Sequence, residues 1–128
     1  MNKILVTGAA GFIGSSLIIK LLEQGNHVVG IDNHNDYYEP ELKEARLLRF
    51  ESHVNYRHIR VDIEDGHGIE KIFLENKFDS VVNLAAQAGV RYSIENPLAY
   101  INTNVVGFTH ILEGCRHNKV KHLVYASS

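Results

Sequence analysis

The sequence lacks several features that would stabilise or anchor an unusual protein. Tryptophan is absent from its 128 residues, proline occurs twice, and Cys115 is the only cysteine, so no disulfide can form within the chain. With no secretory signal after Met1, we expect a protein of the reducing cytoplasm. The apolar runs at residues 4–6 and 17–22 are too short to span a bilayer, so we expect no membrane partner.

An excess of charge of one sign is also missing. The chain has 13 basic and 15 acidic residues and a formal net charge of -2. Such a balance gives no general attraction to polyanions, so nucleic acid is not an expected partner. Hydrophobic residues make up 45% and charged residues 22%, as in an ordinary globular domain. The length suits one domain, and we assign residues 1–128 to it.

Short apolar segments alternate with amphipathic ones along the chain. Their periodicity predicts strands at residues 3–7, 27–31, 55–61, 80–84 and 122–125. Helices are predicted at residues 12–24, 39–51, 68–76 and 97–117. Alternating strands and helices predict an α/β fold, a doubly wound parallel sheet of strand order 3-2-1-4-5. The chain stops directly after the fifth strand, so we expect a truncated Rossmann domain, cut inside a larger enzyme whose remaining part is absent.

A glycine-rich turn joins the first strand to the first helix. Gly8 permits a tight turn, Gly11 lets a pyrophosphate approach the backbone, and Gly14 allows close packing of the helix. The pyrophosphate would lie on free N–H groups at the positive end of the helix. A glycine-rich turn without a ligand is the alternative. The residues predicted to contact a dinucleotide at this turn are Gly8, Ala10, Gly11, Phe12, Ile13 and Gly14.

An acidic residue ends the second strand, about 20 residues beyond the glycines, where a carboxylate binds the adenosine ribose. This residue is Asp32, and Asn33 follows it as a further cofactor residue. A carboxylate repels a 2′-phosphate, and no Arg or Lys occurs at residues 33–35, so NAD is favoured over NADP. A turn-forming Asp at a strand end is the alternative interpretation of Asp32.

The ends of the third and fourth strands supply further candidates. Asp62 and Ile63 occupy a position that can contact adenine, although Asp62 could equally be a helix N-cap or a turn residue. Small residues after the fourth strand would let the backbone lie against the cofactor, although they could equally serve helix–sheet packing. These residues are Leu84, Ala85 and Ala86.

The motifs resemble those of the extended short-chain dehydrogenases/reductases, the nucleotide-sugar epimerases and dehydratases. The glycine turn V-T-G-A-A-G-F-I-G (residues 6–14) and G-I-D-N-H-N-D-Y-Y (residues 30–38) fit this group. The strings N-L-A-A-Q-A-G-V-R-Y-S-I-E-N-P (83–97), N-T-N-V-V-G (102–107) and L-E-G-C-R-H-N-K-V-K-H-L-V-Y-A-S-S (112–128) are most similar to UDP-glucuronate 4-epimerases. The resemblance covers the whole chain.

The resemblance implies an NAD-dependent UDP-sugar 4-epimerase, an isomerase of nucleotide-sugar metabolism and polysaccharide biosynthesis. NAD takes a hydride from C4 of the sugar, and the hydride returns to the other face of the 4-keto intermediate. Ser128, with Ser127 next, matches the residue that hydrogen-bonds the C4 oxygen. The Tyr base and Lys of a Y-x-x-x-K pattern would follow later, so we expect this chain alone to be inactive. Family members dimerise, so the complete enzyme is expected to be a homodimer.

The resemblance also indicates substrate residues in the loop beyond the fourth strand. Val90, Arg91 and Ser93 match pocket positions, and the Arg91 guanidinium could bind a uronate carboxylate or a diphosphate. A solvated loop charge or a subunit contact is the alternative for Arg91. Asn104 could brace the active-site loop by hydrogen bonds to its backbone, or it could be a buried polar residue satisfied by its neighbours.

Three other function classes stay open. A 4,6-dehydratase or a one-way ketoreductase would use the same cofactor domain, and a non-catalytic dinucleotide-binding module would need no further residues. No metal is expected, because the histidines read as scattered surface residues without ligand spacing. The residues whose spacing does not suit a metal site are His53, His58, His67, His110, Cys115 and His117. The charges at residues 39–49 predict a solvated helix face with intrahelical pairs.

Overall fold

The computed structural model describes residues 2–34, 40–87 and 90–126. Five strands form one sheet: β1 (Lys3–Thr7), β2 (His27–Asp32), β3 (Tyr56–Arg60), β4 (Ser80–Asn83) and β5 (His122–Tyr125). All pairings are parallel, and the order is β3-β2-β1-β4-β5. The predicted fold class and strand order are therefore confirmed, and the third strand lies at an edge, as the predicted order requires.

The helices are α1 (Phe12–Glu23), α2 (Pro40–Leu48), α3 (Gly66–Glu75), α4 (Val90–Glu95), α5 (Pro97–Tyr100) and α6 (Phe108–His117). A π-helical segment (Ile101–Gly107) connects α5 to α6, so the predicted long helix at 97–117 changes its pitch midway. Helix α4 corrects the sequence interpretation, which placed Arg91 and Ser93 in a loop. Short amphipathic segments of this length carry too little periodicity to separate from a loop.

Alternation along the strands divides the core between the two faces of the sheet. On one face, Leu5 of β1 and Val29 of β2 pack with Ile69 and Phe73 of α3 and Ile111 of α6. On the other face, strand residues pack against α1 and α2; this cluster includes Ile4, Val6, Val28, Ile18, Leu22 and Leu47. Because helices cover both faces of the central strands, β1 and β2 are apolar on both sides, as the sequence pattern indicated.

Helix bounds otherwise follow local signals. Helix α2 begins at Pro40, which suits a first helical turn because proline has no N–H to leave unpaired. Helix α3 begins two residues earlier than predicted, at Gly66, because the Asp65 side chain caps it by accepting from the Gly68 N–H. Among the described residues, no helix combines the length and the apolar character needed to cross a membrane.

Candidate functional site

The carboxyl ends of the central strands open on one cleft. In an open parallel sheet this edge is where ligands bind, because the connections to the helices diverge there. Most of the predicted cofactor residues line the cleft, together with residues that the sequence did not single out. The lining residues are Gly8, Gly11, Ile31, Asp32, Asn33, Lys43, Val61, Asp62, Ile63, Leu84, Ala85, Ala86, Gln87 and Thr103.

The glycine turn forms the floor of this cleft. Gly8 has a φ of +74°, and a β-carbon there would lie 2.9 Å from the backbone nitrogen of Ala85. A β-carbon on Gly14 would overlap the carbonyl oxygen of Gly8. Side chains at either position would therefore separate the turn from its neighbours. Gly14 thus permits α1 to pack closely against the glycine turn, in addition to its packing against the sheet.

The amino end of α1 lies at the same place. Its N-cap is Gly11, and no described side chain caps this end by a hydrogen bond. Phe12 and Ile13 are 71% and 65% exposed, so the first helical residues stand at the rim. A helix amino end without a capping side chain presents N–H donors and positive partial charge, which fits a diphosphate.

Asp32 links this turn to the end of β2. Its Oδ2 accepts a hydrogen bond of 3.1 Å from the Ala10 N–H, and its Oδ1 accepts one of 2.8 Å from the His34 N–H. The residue is 6% exposed, and burial alone would raise the pKa of its carboxyl. The hydrogen bond from His34 and the charge of Lys43 outweigh burial and lower that pKa below its usual value. The carboxylate is therefore ionised and faces the glycine turn.

Helix α2 supplies two cations to the turn. Lys43 is buried, and its Nζ lies 3.0 Å from Asp32 Oδ1. Arg46 donates to the Ala10 carbonyl oxygen at 3.3 Å and lies over the Phe12 ring. The expectation of a solvated, internally paired helix face is therefore wrong for these residues, because they find partners across the fold. Spacing within one helix could not reveal partners that the chain brings from another element.

The end of β3 meets the end of β2 through polar side chains. Asp62 Oδ2 accepts from the Asn33 side-chain amide at 3.1 Å, and Asp62 Oδ1 accepts from the Glu64 N–H at 2.9 Å. Asp65, and not Asp62, caps the following helix. Asp62 is thus a turn residue whose carboxylate lines the cleft beside Ile63. Both the adenine role and the turn role fit this position.

A buried hydroxyl holds the loop after β4. Thr7 Oγ1 donates to Asn83 Oδ1 at 2.6 Å and accepts from the N–H groups of Leu84 and Ala85, each at 3.0 Å. These contacts fix the backbone of residues 84–85 against the glycine turn. This role of Thr7 could not be predicted from the sequence, because a β-branched residue inside a strand is expected for packing alone.

Asn104 braces the same loop. Its side-chain oxygen accepts from the Gln87 N–H at 2.9 Å, and its amide donates to the Gln87 carbonyl at 3.1 Å. The residue is exposed, so the alternative of a buried polar residue is wrong. Asn104 lines a depression beside the cleft together with Ala86 and Phe108. The π-helical segment also carries Thr103, whose hydroxyl donates to Glu64 Oε1 at 3.5 Å, beyond the end of β3.

The predicted substrate and catalytic residues are less fully described. Ser127 and Ser128 lie outside the described residues, and so does the side chain of Val90. The Arg91 side chain is 94% exposed, and its Nε lies 3.6 Å from Glu95 of the same helix, which matches the solvated alternative. Ser93 is half-buried on α4. Ala10 and Gly14 are buried beneath the cleft and do not line it.

Two histidines contradict the expectation of scattered surface residues. The Nε2 atoms of His34 and His58 lie 2.7 Å apart, and His58 Nδ1 lies 2.7 Å from the Tyr56 hydroxyl. Burial, with the charge of His34 second, lowers the pKa of His58 to about 4. Within residues 2–34, 40–87 and 90–126, no group of three His, Cys, Asp or Glu side chains could hold a metal ion.

The sheet order, the helix packing on both faces and the glycine turn define a Rossmann-type α/β fold. Residues 5–128 match the family model described as GDP-mannose 4,6 dehydratase, and the chain belongs to this family. The resemblance to extended short-chain dehydrogenases/reductases that act on nucleotide sugars is thereby confirmed.

Relatives with established descriptions extend further than this chain. Protein CapI of Staphylococcus aureus is 52% identical over 126 residues, which make up 98% of this chain and 37% of that protein. UDP-glucuronate 4-epimerase 3 of Arabidopsis thaliana is 44% identical over 127 residues, 98% of this chain and 29% of that protein. The crystal structure of UDP-glucuronic acid 4-epimerase from Bacillus cereus, in complex with UDP-glucuronic acid and NAD, superposes with a TM-score of 0.88 at 37% identity, covering 98% of this chain and 40% of that one.

Proposed function

We propose that this chain is the NAD-binding part of a UDP-sugar 4-epimerase of the UDP-glucuronate type. The domain assignment of residues 1–128 belongs to the same proposal, with the rest of the Rossmann domain and a substrate domain supplied by further sequence. The chain spans 37% of CapI and 29% of the plant epimerase, so the activity belongs to a longer protein. The chain alone should bind NAD weakly and should not turn over substrate.

One observation carries the proposal. Asp32 is buried, ionised and hydrogen-bonded to the Ala10 N–H of the glycine turn, so a carboxylate and an uncapped helix end face one cleft. A dinucleotide needs this combination, because its diphosphate seeks N–H donors while its adenosine ribose seeks an acceptor.

Each lining residue then has a role in binding. The amino end of α1, from Gly11 to Gly14, would bind the diphosphate, and Asp32 would accept from the ribose hydroxyls. Ile63 and the Asp62 carboxylate would contact the adenine, and residues 84–86 would lie against the nicotinamide half. When bound, NAD would supply reversible oxidation at C4 of the sugar. Ser128 or Ser127 would hydrogen-bond the C4 oxygen and orient the sugar.

The partners follow from the same assignment. We propose a UDP-sugar substrate, a cytoplasmic location as expected for a chain with one cysteine, and a homodimer of the complete enzyme. The helical stretch from α5 to α6 supports the dimer, because it exposes Leu98, Ile101, Val105 and Leu112 at 66%, 49%, 58% and 41%. Sizing of the complete protein by light scattering tests this assignment, and a monomer would contradict it.

Two measurements test the proposed function. Calorimetric titration of the 128-residue chain with NAD should show binding that Gly11→Ala weakens at least tenfold, because a methyl group would cover the helix end. Gly11 has a negative φ of -74°, which alanine adopts, although its β-carbon would lie 3.1 Å from the Gly8 carbonyl oxygen and requires a small shift of the turn. Circular dichroism of Gly11→Ala checks that the fold is kept. Ser16→Ala, at an exposed position of α1, is the matched control and should bind as wild type. The complete protein incubated with UDP-glucuronate should form its C4 epimer, detected by NMR.

A 4,6-dehydratase is the second candidate, favoured by the description of the matching family model. The two reactions differ in mass balance, because epimerisation conserves mass whereas dehydration releases water. Mass spectrometry of the products of the complete protein distinguishes them. An unchanged mass with inverted C4 supports the epimerase, and loss of water supports the dehydratase. NAD binding without turnover of any nucleotide sugar would favour the non-catalytic module.

A further inference from the structure

The backbone of His34 takes part in holding the Asp32 carboxylate. His34 has a φ of +55°, in the left-handed region that residues other than glycine rarely adopt. In this conformation its N–H donates to Asp32 Oδ1 at 2.8 Å. Such a conformation persists only where the surrounding structure holds it. The side chains that hold His34 in place therefore also hold the carboxylate that the proposed function assigns to the ribose.

A chain of polar side chains from β3 reaches the His34 ring. The His34 side chain is 4% exposed, and its Nε2 lies 2.7 Å from His58 Nε2. His58 Nδ1 lies 2.7 Å from the hydroxyl of Tyr56, which is buried. Gly30 leaves the space for this hydroxyl, because a β-carbon there would overlap it and would lie 2.8 Å from the β-carbon of Ala9 in the glycine turn. The three side chains therefore form one hydrogen-bonded chain beside the turn.

One direction of hydrogen bonding suits this chain. Glu44 Oε1 lies 3.3 Å from His34 Nδ1, although that nitrogen forms no hydrogen bond of good geometry with the described residues. A carboxylate repels a lone pair, so Nδ1 carries the hydrogen of a neutral His34 ring and Nε2 accepts. Burial lowers the pKa of His58 to about 4, so this ring is neutral at pH 7 and donates from Nε2. Its Nδ1 then accepts from the Tyr56 hydroxyl.

We propose that His58 is a positioning residue for the dinucleotide: its bond to the His34 ring keeps the His34 N–H on Asp32 Oδ1 and so directs the carboxylate toward the ribose. This inference rests on the proposed function, because it assumes that the adenosine ribose lies at Asp32. His58 is not among the residues that line the cleft, so it acts through His34. Because Lys43 and the Ala10 N–H also contact the carboxylate, loss of His58 should weaken binding without abolishing it.

Variants of His58 in the 128-residue chain, titrated with NAD by calorimetry at pH 7, give the first test. His58→Leu removes the donor to His34 and should weaken NAD binding about fivefold, as for loss of one hydrogen bond. His58→Gln should bind nearly as tightly as wild type, because the glutamine amide presents a donor near the place of Nε2. The matched control is His67→Leu, at an exposed position of α3, which should leave the affinity unchanged.

A modified cofactor separates positioning of Asp32 from a merely structural role. An NAD analogue whose adenosine ribose lacks both hydroxyls has no group for the carboxylate to accept from. The analogue should bind wild type more weakly than NAD does, and His58→Leu should not weaken it further. A merely structural role of His58 would weaken the binding of both dinucleotides by the same factor.

NMR of the chain without cofactor tests the hydrogen-bonded chain directly. Nitrogen-15 shifts of the imidazole rings at pH 7 should place the hydrogen of His58 on Nε2 and that of His34 on Nδ1. The amide hydrogen of His34 should exchange with solvent faster in His58→Leu than in wild type, because its bond to Asp32 opens more often. His58→Gln should keep the exchange rate of wild type.

The outcomes separate this inference from the function on which it rests. If wild type binds NAD and His58→Leu matches it in affinity and in His34 exchange, the inference is refuted and the function stands. An equal loss of affinity for NAD and for the analogue also refutes the inference alone, as do imidazole hydrogens on the opposite nitrogens. Wild type that binds neither dinucleotide refutes the function and the inference together. Should His58→Leu fail to fold, His58→Asn decides, because its shorter amide reaches toward Tyr56 but not toward His34.

Discussion

Replacement of Thr7 by valine should separate hydrogen bonding from packing at the base of the cleft. Thr7 is fully buried, and its hydroxyl has three partners, the Asn83 oxygen and the N–H groups of Leu84 and Ala85. Valine keeps the shape of the side chain and removes the hydroxyl. The Leu84 N–H retains the Thr7 carbonyl at 3.2 Å, whereas Asn83 and Ala85 lose the bonds that Thr7 makes to them.

The buried Asn83 oxygen and the part-buried Ala85 N–H, left unpaired, cost about 1–2 kcal/mol each, so Thr7→Val should lower the free energy of unfolding by about 2–4 kcal/mol. Thr7→Ser is the matched control, because it keeps the hydroxyl and loses one methyl group. Loss of this methyl group should lower the free energy of unfolding by about 1 kcal/mol. With an m-value of about 2 kcal/mol/M, the urea midpoint should fall by about 1–2 M for valine and about 0.5 M for serine. Far-UV circular dichroism follows both transitions. A serine variant less stable than the valine variant would refute the reasoning.

Two further predictions concern the glycine turn and the histidine pair. Gly14→Ala should lower the free energy of unfolding by about 1–3 kcal/mol, because its methyl group would overlap the Gly8 carbonyl, whereas Ser16→Ala should not lower it. Equal urea midpoints for the two variants would contradict this contact. The pKa of His58 lies at about 4 against 6.5 for the free side chain, so its contribution to stability is complete above pH 6.5 and is lost as the pH falls toward 4. For this half-buried group, the free energy of unfolding should fall by about 1–2 kcal/mol between pH 7 and pH 5. His58→Gln should abolish this pH-dependent fall, whereas the control His67→Gln should keep it. An unchanged pH dependence in His58→Gln would disprove the assignment of the effect to His58.

Sequence periodicity was sufficient for the sheet and for its order. Strand residues such as Leu5 and Val29 are apolar because both faces of the sheet are covered, and crossover handedness leaves few other orders. The glycine turn and Asp32 were likewise evident, because their chemistry depends on residue types at fixed spacing. These features are local, or they follow from rules that apply to every parallel sheet.

The contacts that could not be predicted from the sequence join residues that lie far apart along the chain or that were expected to have another role. In the sequence, nothing distinguishes Lys43 from the other charged residues of α2. Only the packing of α2 shows that it faces Asp32. His34 and His58 are separated by 24 residues, and they meet because β2 and β3 are neighbours in the sheet. Helix α4 was missed for another reason, since six residues give less than two full turns of periodicity.

The glycine turn and α2 are connected in a closed circuit of contacts. The Ala10 N–H donates to Asp32, Asp32 pairs with Lys43, and Arg46, which lies one turn further along the same helix, donates to the Ala10 carbonyl. The peptide groups on both sides of Ala10, in the glycine turn, are thus held by Asp32 of β2 and by Arg46 of α2. Because the members contact one another, loss of one changes the surroundings of the next where little water reaches them. Substitutions within the circuit should therefore be non-additive, whereas those at Thr7, which fixes the opposite wall of the cleft, should add to them.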